Sequence, residues 1–294
     1  MTPREALETD GYWIGTALLT EEETALLRAT LLDHFARGGV EERLGLHQPA
    51  TAYTVPGLAW LFSHPRILEA LRGLLGDDRL VFCGNCDTHL DMLSHWHRDT
   101  NEHRGGCFAG DYLSRSDCRV YRAGIYLQDH DTGHLGLKVK RGSHRVRSPD
   151  GLPDERPRTR EGDVAFFDIR LIHAGILPDP FERLLLGLGR RLRWPGWIRA
   201  LKRSWWRLTG KRRKISAFFT YGTVSTDTED YCRYELELLR ARLGATALRL
   251  PTALRAGLRE AGVLTYEDAL EERYGPGALD AFAAGAPLPP RIWG

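Results

Sequence analysis

His95-Trp96-His97-Arg98-Asp99-Thr100 is the stretch from which the rest of the chain is best read, because it sets His97 and Asp99 two residues apart. On an extended chain alternate side chains share a face, so this imidazole and carboxylate can grip one small ion. One His and one carboxylate from neighbouring positions, completed by a distant His, make the facial set that leaves open positions on a non-haem divalent iron. The third member is sought downstream, and His173, at the end of Gly162-Asp163-Val164-Ala165-Phe166-Phe167-Asp168-Ile169-Arg170-Leu171-Ile172-His173, is the best candidate. A bare His-x-Asp arises often by chance, so its surroundings decide.

Outward from that stretch the texture is that of short strands. Leu80 to Cys83, Thr88 to His97, Val120 to Gln128, Leu135 to Val139, Asp163 to Ile169 and Ile215 to Tyr221 are apolar or β-branched runs separated by Gly, Asp and Asn. Asp10 to Leu19 reads as an earlier strand. Helical signals flank this region. Thr20 to Glu23 matches a capping box, Leu27, Leu31 and Phe35 follow at helical spacing, and Gly38-Gly39 ends the helix. Ser63-His64-Pro65 opens another, with Ile67, Leu68, Leu71 and Leu75 behind it and Gly76 closing it. After Thr226 the helical period returns, through Tyr231, Tyr234, Leu236 and Leu239, then Thr252 to Glu260 and Tyr266 to Tyr274. Helices, then many short strands, then helices predict a mainly β protein with helices outside a sandwich or barrel.

The chain of 294 residues, 42% hydrophobic, has the composition of a globular protein with a real core. No apolar run is long enough to cross a bilayer, and the N-terminus lacks a signal-like apolar stretch, so the expected location is cytoplasmic. Five scattered cysteines, Cys83, Cys86, Cys107, Cys118 and Cys232, make no disulfide framework, and Cys83-x-x-Cys86 without a second pair reads as two small strand residues. The net charge of +2 conceals an asymmetry. Arg190 to Lys214 carries eleven Lys and Arg and no acid, which leaves −9 on the rest, and it holds four of the eight tryptophans. Charge so concentrated points to a partner.

Five blocks in order around the His-x-Asp resemble the phytanoyl-CoA dioxygenase family of Fe(II)- and 2-oxoglutarate-dependent oxygenases over most of the chain: Ala123 to Asp129, Thr132 to Leu135, Arg141 to His144, Gly162 to Asp168 and Ile215 to Gly222. The resemblance implies a double-stranded β-helix (a cupin-like jelly roll) in a single oxygenase domain over 1–294. Its parts would be N-terminal helices 20–76, a core of about 80–222 with the basic Trp-rich insert 188–211, and C-terminal helices 226–294. It implies His97, Asp99 and His173 as ligands of Fe(2+), with 2-oxoglutarate and O2 as co-substrates. The outcome would be hydroxylation of an unactivated C–H in a small or lipid-linked metabolite; a carboxylate at Asp99, where related halogenases have a small residue, disfavours halogenation. Desaturation or cyclisation by the same chemistry is an alternative, and so is a non-catalytic jelly-roll binding protein.

The far carboxylate of 2-oxoglutarate needs a buried cation. In the family an Arg three residues before a stretch like Ile215-Ser216-Ala217 supplies it, which here is Arg212, with Lys214 on the same face as the fallback. Arg183 has the family's usual spacing from the distal His, ahead of Leu184-Leu185-Leu186. His95 is expected to pack beside the site. Asp168 and Arg170 read as a surface ion pair, His144 as a loop residue, and His89, His103, His130 and His134 as ordinary polar residues.

In the insert, Trp194, Trp197, Ile198, Leu201, Trp205 and Leu208 recur on one side of a helix opened by Pro195, with Arg199, Lys202, Arg203 and Arg207 largely on the rest. A basic amphipathic helix with several Trp reads as an interfacial helix on an anionic membrane, through 194–208, which would set the protein peripherally at the inner face. A clamp for an acidic substrate and a lid over the active site are the competing readings. Nucleic acid is not expected as a partner, since nothing else resembles such a module.

Overall fold

The computed structural model describes residues 1–100, 106–108, 110–115, 118–130, 135–193, 196–244 and 248–293. The expectations for Thr132 to His134, His103, Trp194 and Pro195 lie outside them. In chain order the elements begin with α1 (Pro3–Asp10), β1 (Tyr12–Gly15), α2 (Glu21–Arg37), β2 (Val40–Glu42), β3 (Gly45–Pro49), α3 (Thr51–Thr54), α4 (Ala59–Phe62), α5 (Pro65–Leu75) and β4 (Leu80–Leu90). There follow β5 (Val120–Tyr126), β6 (Lys138–Lys140), β7 (Asp154–Glu155), β8 (Val164–Asp168), β9 (His173–Ala174), α6 (Pro180–Arg191), α7 (Gly196–Leu208) and β10 (Ile215–Thr223). The chain closes with α8 (Thr226–Leu243), α9 (Thr252–Glu260), β11 (Leu264–Thr265), α10 (Tyr266–Tyr274) and α11 (Ala278–Ala283).

The large sheet runs β1-β8-β5-β10-β4-β3-β2, antiparallel throughout, with β11 added in parallel to β4. A small sheet, β7-β6-β9, faces it. Alternation divides the large sheet's side chains. Ala123 and Ile125 of β5, Ala217, Phe219 and Tyr221 of β10 and Cys86 and Leu90 of β4 pack with α2, α5 and α9 on the outside. Tyr126, Ala165, Phe167 and Phe218 point the other way and meet Leu137 and Val139 from β6 and its approach. Two facing sheets, with α2, α5 and α9 over the outer face of the large one, form a jelly roll, as the resemblance implies; the strand pattern alone predicts a sandwich or barrel.

Both expected helix starts are present. Thr20 accepts from the Glu23 amide at 3.1 Å while Glu23 accepts from the Thr20 amide at 2.7 Å, and Pro65 occupies the first turn of α5, which Gly76 ends in a left-handed conformation. Three differences matter for the site. The runs expected as two strands around Cys83 and Thr88 are one continuous strand, β4, and it stops at Leu90 rather than His97. The strand expected over Asp10 to Leu19 is only four residues long and follows α1, which has its own capping box on Thr2. Between α2 and α3 stands the β2–β3 hairpin, pressed so closely onto the chain after β4 that a Cβ on Gly45 would lie 2.4 Å from the Met92 backbone. All five cysteines are buried thiols.

Candidate metal centre

After Leu90 the chain leaves the large sheet and runs along the rim of the small one. Leu93 pairs with Ile176, and His97 pairs with His173 through two backbone hydrogen bonds, 3.0 Å and 2.9 Å long. The Asp99 amide donates to the Ile169 carbonyl at 2.9 Å. The two histidines are therefore cross-strand partners, and Asp99 enters from the turn that follows. The shared face expected from one extended strand is produced by this pairing plus a turn.

The Nδ1–H of His97 donates to the His95 carbonyl at 2.7 Å and that of His173 to the Leu171 carbonyl at 3.0 Å. Each bond fixes the tautomer that leaves the Nε2 lone pair free. Those Nε2 atoms lie 3.5 Å and 3.7 Å from Asp99 Oδ1, the rings are 4.4 Å apart, and one donor atom from each residue falls within 4.8 Å of the others. Arg122, on the inner face of β5, sits 3.2 Å from the second oxygen, Asp99 Oδ2. One carboxylate oxygen is thus turned to the histidines and the other held by a guanidinium.

The electrostatics suit a cation. Burial, helped by the neighbouring His173, brings His97 down to about 4, so it is neutral near pH 7. Burial opposes ionisation of Asp99, but Arg122, with His173 and His97, outweighs it and holds the carboxyl below its ordinary value. Two imidazoles and one carboxylate on one face of a cavity of about 210 Å³ fit a divalent first-row metal.

Deeper in that cavity stands Lys214, 5% exposed, its Nζ 5.1 Å from the centre of the Tyr126 ring. It passes over Gly175, two residues beyond His173, where a Cβ would come within 2.6 Å of Nζ. Burial, with Lys138 adding, lowers Lys214 to about 7. Lys138 Nζ donates to the carbonyls of Gly175 at 2.9 Å and Gly136 at 3.2 Å. Arg212 and Arg183 are both exposed, and Arg183 donates to the Pro178 carbonyl at 3.2 Å. Neither lines the cavity, whereas Lys214 does. The alternation that put Arg212 and Lys214 on one face does not apply, because β10 begins at Ile215.

Other expectations need revision. Asp168 and Arg170 are 2% and 3% exposed, so they form a buried bidentate pair at 2.6 Å and 2.9 Å, and Arg170 also donates to the Arg115 carbonyl at 2.6 Å. His144 is buried, its Nε2 3.2 Å from the Glu8 carbonyl. Arg122 and Lys138 were not singled out in the sequence; a charged residue inside an apolar strand, Val120-Tyr121-Arg122-Ala123, was the available signal for the first. In α7 the face assignment changes too. Ile198, Lys202 and Trp206 are buried, with Lys202 donating to the Leu44 carbonyl at 3.0 Å and to that of Asp91, while Trp197, Leu201 and Leu208 are exposed.

No protein-family model matches this chain, and no curated protein does. Solved structures do. The non-heme alpha ketoglutarate dependent epimerase SnoN from nogalamycin biosynthesis superposes with a TM-score of 0.53 at 16% identity, over 76% of this chain and 82% of that one. EctD from S. alaskensis, solved with 2-oxoglutarate and 5-hydroxyectoine, gives 0.51 at 18% identity over 76% and 77%. HygX from Streptomyces hygroscopicus, with nickel and 2-oxoglutarate bound, gives 0.50 at 16% over 76% and 88%. Identities this low make the likeness one of fold: the chain shares the jelly-roll architecture of these three proteins.

Proposed function

We propose that the chain is a non-haem Fe(II)- and 2-oxoglutarate-dependent oxygenase that hydroxylates an unactivated C–H of a small or lipid-linked molecule. The observation that carries this reading is the convergence of His97 Nε2, His173 Nε2 and Asp99 Oδ1, each oriented by a hydrogen bond or ion pair on its other atom. Iron held there, with 2-oxoglutarate and dioxygen, would supply the oxidising power. The chain's own part is positional. Arg122 keeps Asp99 ionised and turned to the histidines. Lys214 is the residue we assign to the far carboxylate of 2-oxoglutarate, because a desolvated ammonium gains most from an incoming anion. Tyr126, Leu137 and Phe218 line the space between and limit water. The test needs no knowledge of the substrate. Purified protein with Fe(II), 2-oxoglutarate and air should form succinate slowly, and His97→Ala should abolish it; a protein that binds Fe(II) yet leaves 2-oxoglutarate intact would be the non-catalytic alternative.

A peripheral membrane location is the second part of this reading, carried by the outward side of α6 and α7. Leu184, Leu192, Trp197, Leu201 and Leu208 are exposed there, and Arg203 and Arg207 flank the stripe of α7. Apolar side chains rimmed by cations match an anionic bilayer surface, which would bring a lipid-linked substrate to the rim. The inward tryptophans, Trp205 and Trp206, instead donate to Asp179 and Glu182. Flotation with phosphatidylserine vesicles should carry the protein, and replacing Trp197 and Leu201 by Ser should release it; unchanged flotation would remove the membrane from the reading.

A further inference from the structure

Across the same cavity the inner wall of β3 and β4 carries a second set of two histidines and a carboxylate. Asp87-Thr88-His89 has the spacing of His97-Arg98-Asp99 with the order reversed, and it lies on a regular strand, so both side chains face inward while Cys86 and Leu90 face the helices. His47 on β3 is the direct cross-strand partner of His89. Asp87 Oδ2 lies 2.5 Å from His89 Nε2 and 3.7 Å from His47 Nε2, the two rings are 4.9 Å apart, and the three donor atoms fall within 4.8 Å of one another.

We propose that His47, Asp87 and His89 bind a second divalent transition-metal ion. Three features favour a cation there. His47 Nδ1 is 2.9 Å from Glu42 Oε2, a carboxylate behind a histidine that fixes Nε2 as the donor atom. That Nε2 is buried and has no hydrogen-bond partner among the described residues, so its lone pair is turned toward an anionic oxygen, an arrangement that a shared cation relieves. The third feature is Arg122. Its Nη2 takes Asp87 Oδ1 as its Nη1 takes Asp99 Oδ2, so a single guanidinium holds the rear oxygen of each carboxylate and leaves each front oxygen to its own pair of histidines. The positive charge of Arg122 opposes a metal, yet it is spent on Asp87 and Asp99 together, and Glu42 adds a third carboxylate to the wall. Entry of the ion requires the tautomer of His89 with its proton on Nδ1. Two imidazoles and one carboxylate select borderline ions such as Zn(II), Co(II) or Ni(II) over Mg(II) or Ca(II), which take oxygen ligands. Three protein donors also leave positions open to an oxygen of the substrate.

The site stands on β3 and β4 and does not depend on the oxygenase reading. Metal-free full-length protein, titrated anaerobically with Co(II) and followed by equilibrium dialysis and the visible Co(II) bands, should bind two equivalents. His89→Ala and His47→Gln should each bind one, His97→Ala one, and the His89→Ala, His97→Ala double variant none. The equivalent retained by each single variant shows that it is folded. One equivalent in the wild type, lost in His97→Ala and kept in His89→Ala, overturns the second site and leaves the first. One equivalent lost in His89→Ala and kept in His97→Ala overturns the iron centre and leaves this one, while two equivalents in His89→Ala overturn the assignment of its ligands.

Discussion

Lys214 makes the proposed site sensitive to pH in a definite direction. A lysine brought down to about 7 loses its proton as the pH rises through that value, and with it the charge that would meet the carboxylate. Affinity for 2-oxoglutarate should therefore be greatest below pH 7 and fall above it, toward roughly tenfold per pH unit. Lys214→Arg should flatten that dependence. Lys214→Ala should cost about 1.5–3 kcal/mol of binding, the usual worth of a charge-assisted hydrogen bond; dissociation constants measured from pH 6 to 9 check all three, and an unchanged value in Lys214→Ala would send the anchor elsewhere. Gly175→Ala is a steric companion. The new methyl would meet Nζ at 2.6 Å, the far end of a flexible side chain that can give way, so a smaller loss than that of Lys214→Ala should follow without removing any charge. At this scale the convergence of His97, Asp99 and His173 was legible, because two residues in three carry a spacing and the third a block. Arg122 and the set of His47, Asp87 and His89 were not. Asp87-x-His89 was visible as a spacing, but its partner stands on a hairpin with no strand-like pattern, and only pairing brings the two together.

Among the elements, α6 and α7 hang on Glu182. It is 0% exposed, completes the capping box of its own helix with Asp179, accepts from Trp206 Nε1 and lies 3.0 Å from Lys211 Nζ. Removing one partner of a buried ion pair costs about 3–5 kcal/mol when the other is left uncompensated, and since Lys211 keeps Asp179 at 2.9 Å the loss here should fall below that. Glu182→Ala should lower the urea midpoint accordingly, and hydrogen exchange should show the loosening concentrated in 180–211, whereas Glu182→Gln, which keeps an acceptor for Trp206, should do less harm. Helices were the most legible elements, since Thr20, Pro65 and Gly76 fix their ends by local chemistry. The face of α7 was not, because it has two apolar stripes: Ile198, Trp205 and Trp206 turn inward, Trp197, Leu201 and Leu208 outward. Periodicity merges stripes that are about a third of a turn apart. Lys202 adds to the confusion by burying its ammonium against two backbone carbonyls, which no hydropathy pattern announces.

For the molecule as a whole, a ligand that binds only the folded chain raises its stability by about 2.7 kcal/mol at a hundred times its dissociation constant. In a protein of 294 residues, at about 2.1 cal/mol/K of unfolding entropy per residue, that is roughly 4 °C in melting temperature. Anaerobic Fe(II) with 2-oxoglutarate should give such a shift, and His97→Ala should lose most of it; an equal shift in the variant would mean that the metal binds elsewhere. The global topology was legible through resemblance more than through pattern. Alternation identified β5, β8 and β10, but strand order depends on pairings such as Phe219 with Ala123 and with Cys86, which no local rule specifies.

The pairing of His97 with His173 gives the rim a further property. The small sheet is otherwise short, with β7 and β9 of two residues each, and loop closure across so many intervening residues is entropically costly. An ion gripped by both imidazoles would act as a removable cross-link between two distant parts of the chain, at the place where the backbone ladder is thinnest. Opening and closing of this rim would then be governed by metal supply, and the amides of His97 and His173 would exchange with solvent no faster than the ion leaves.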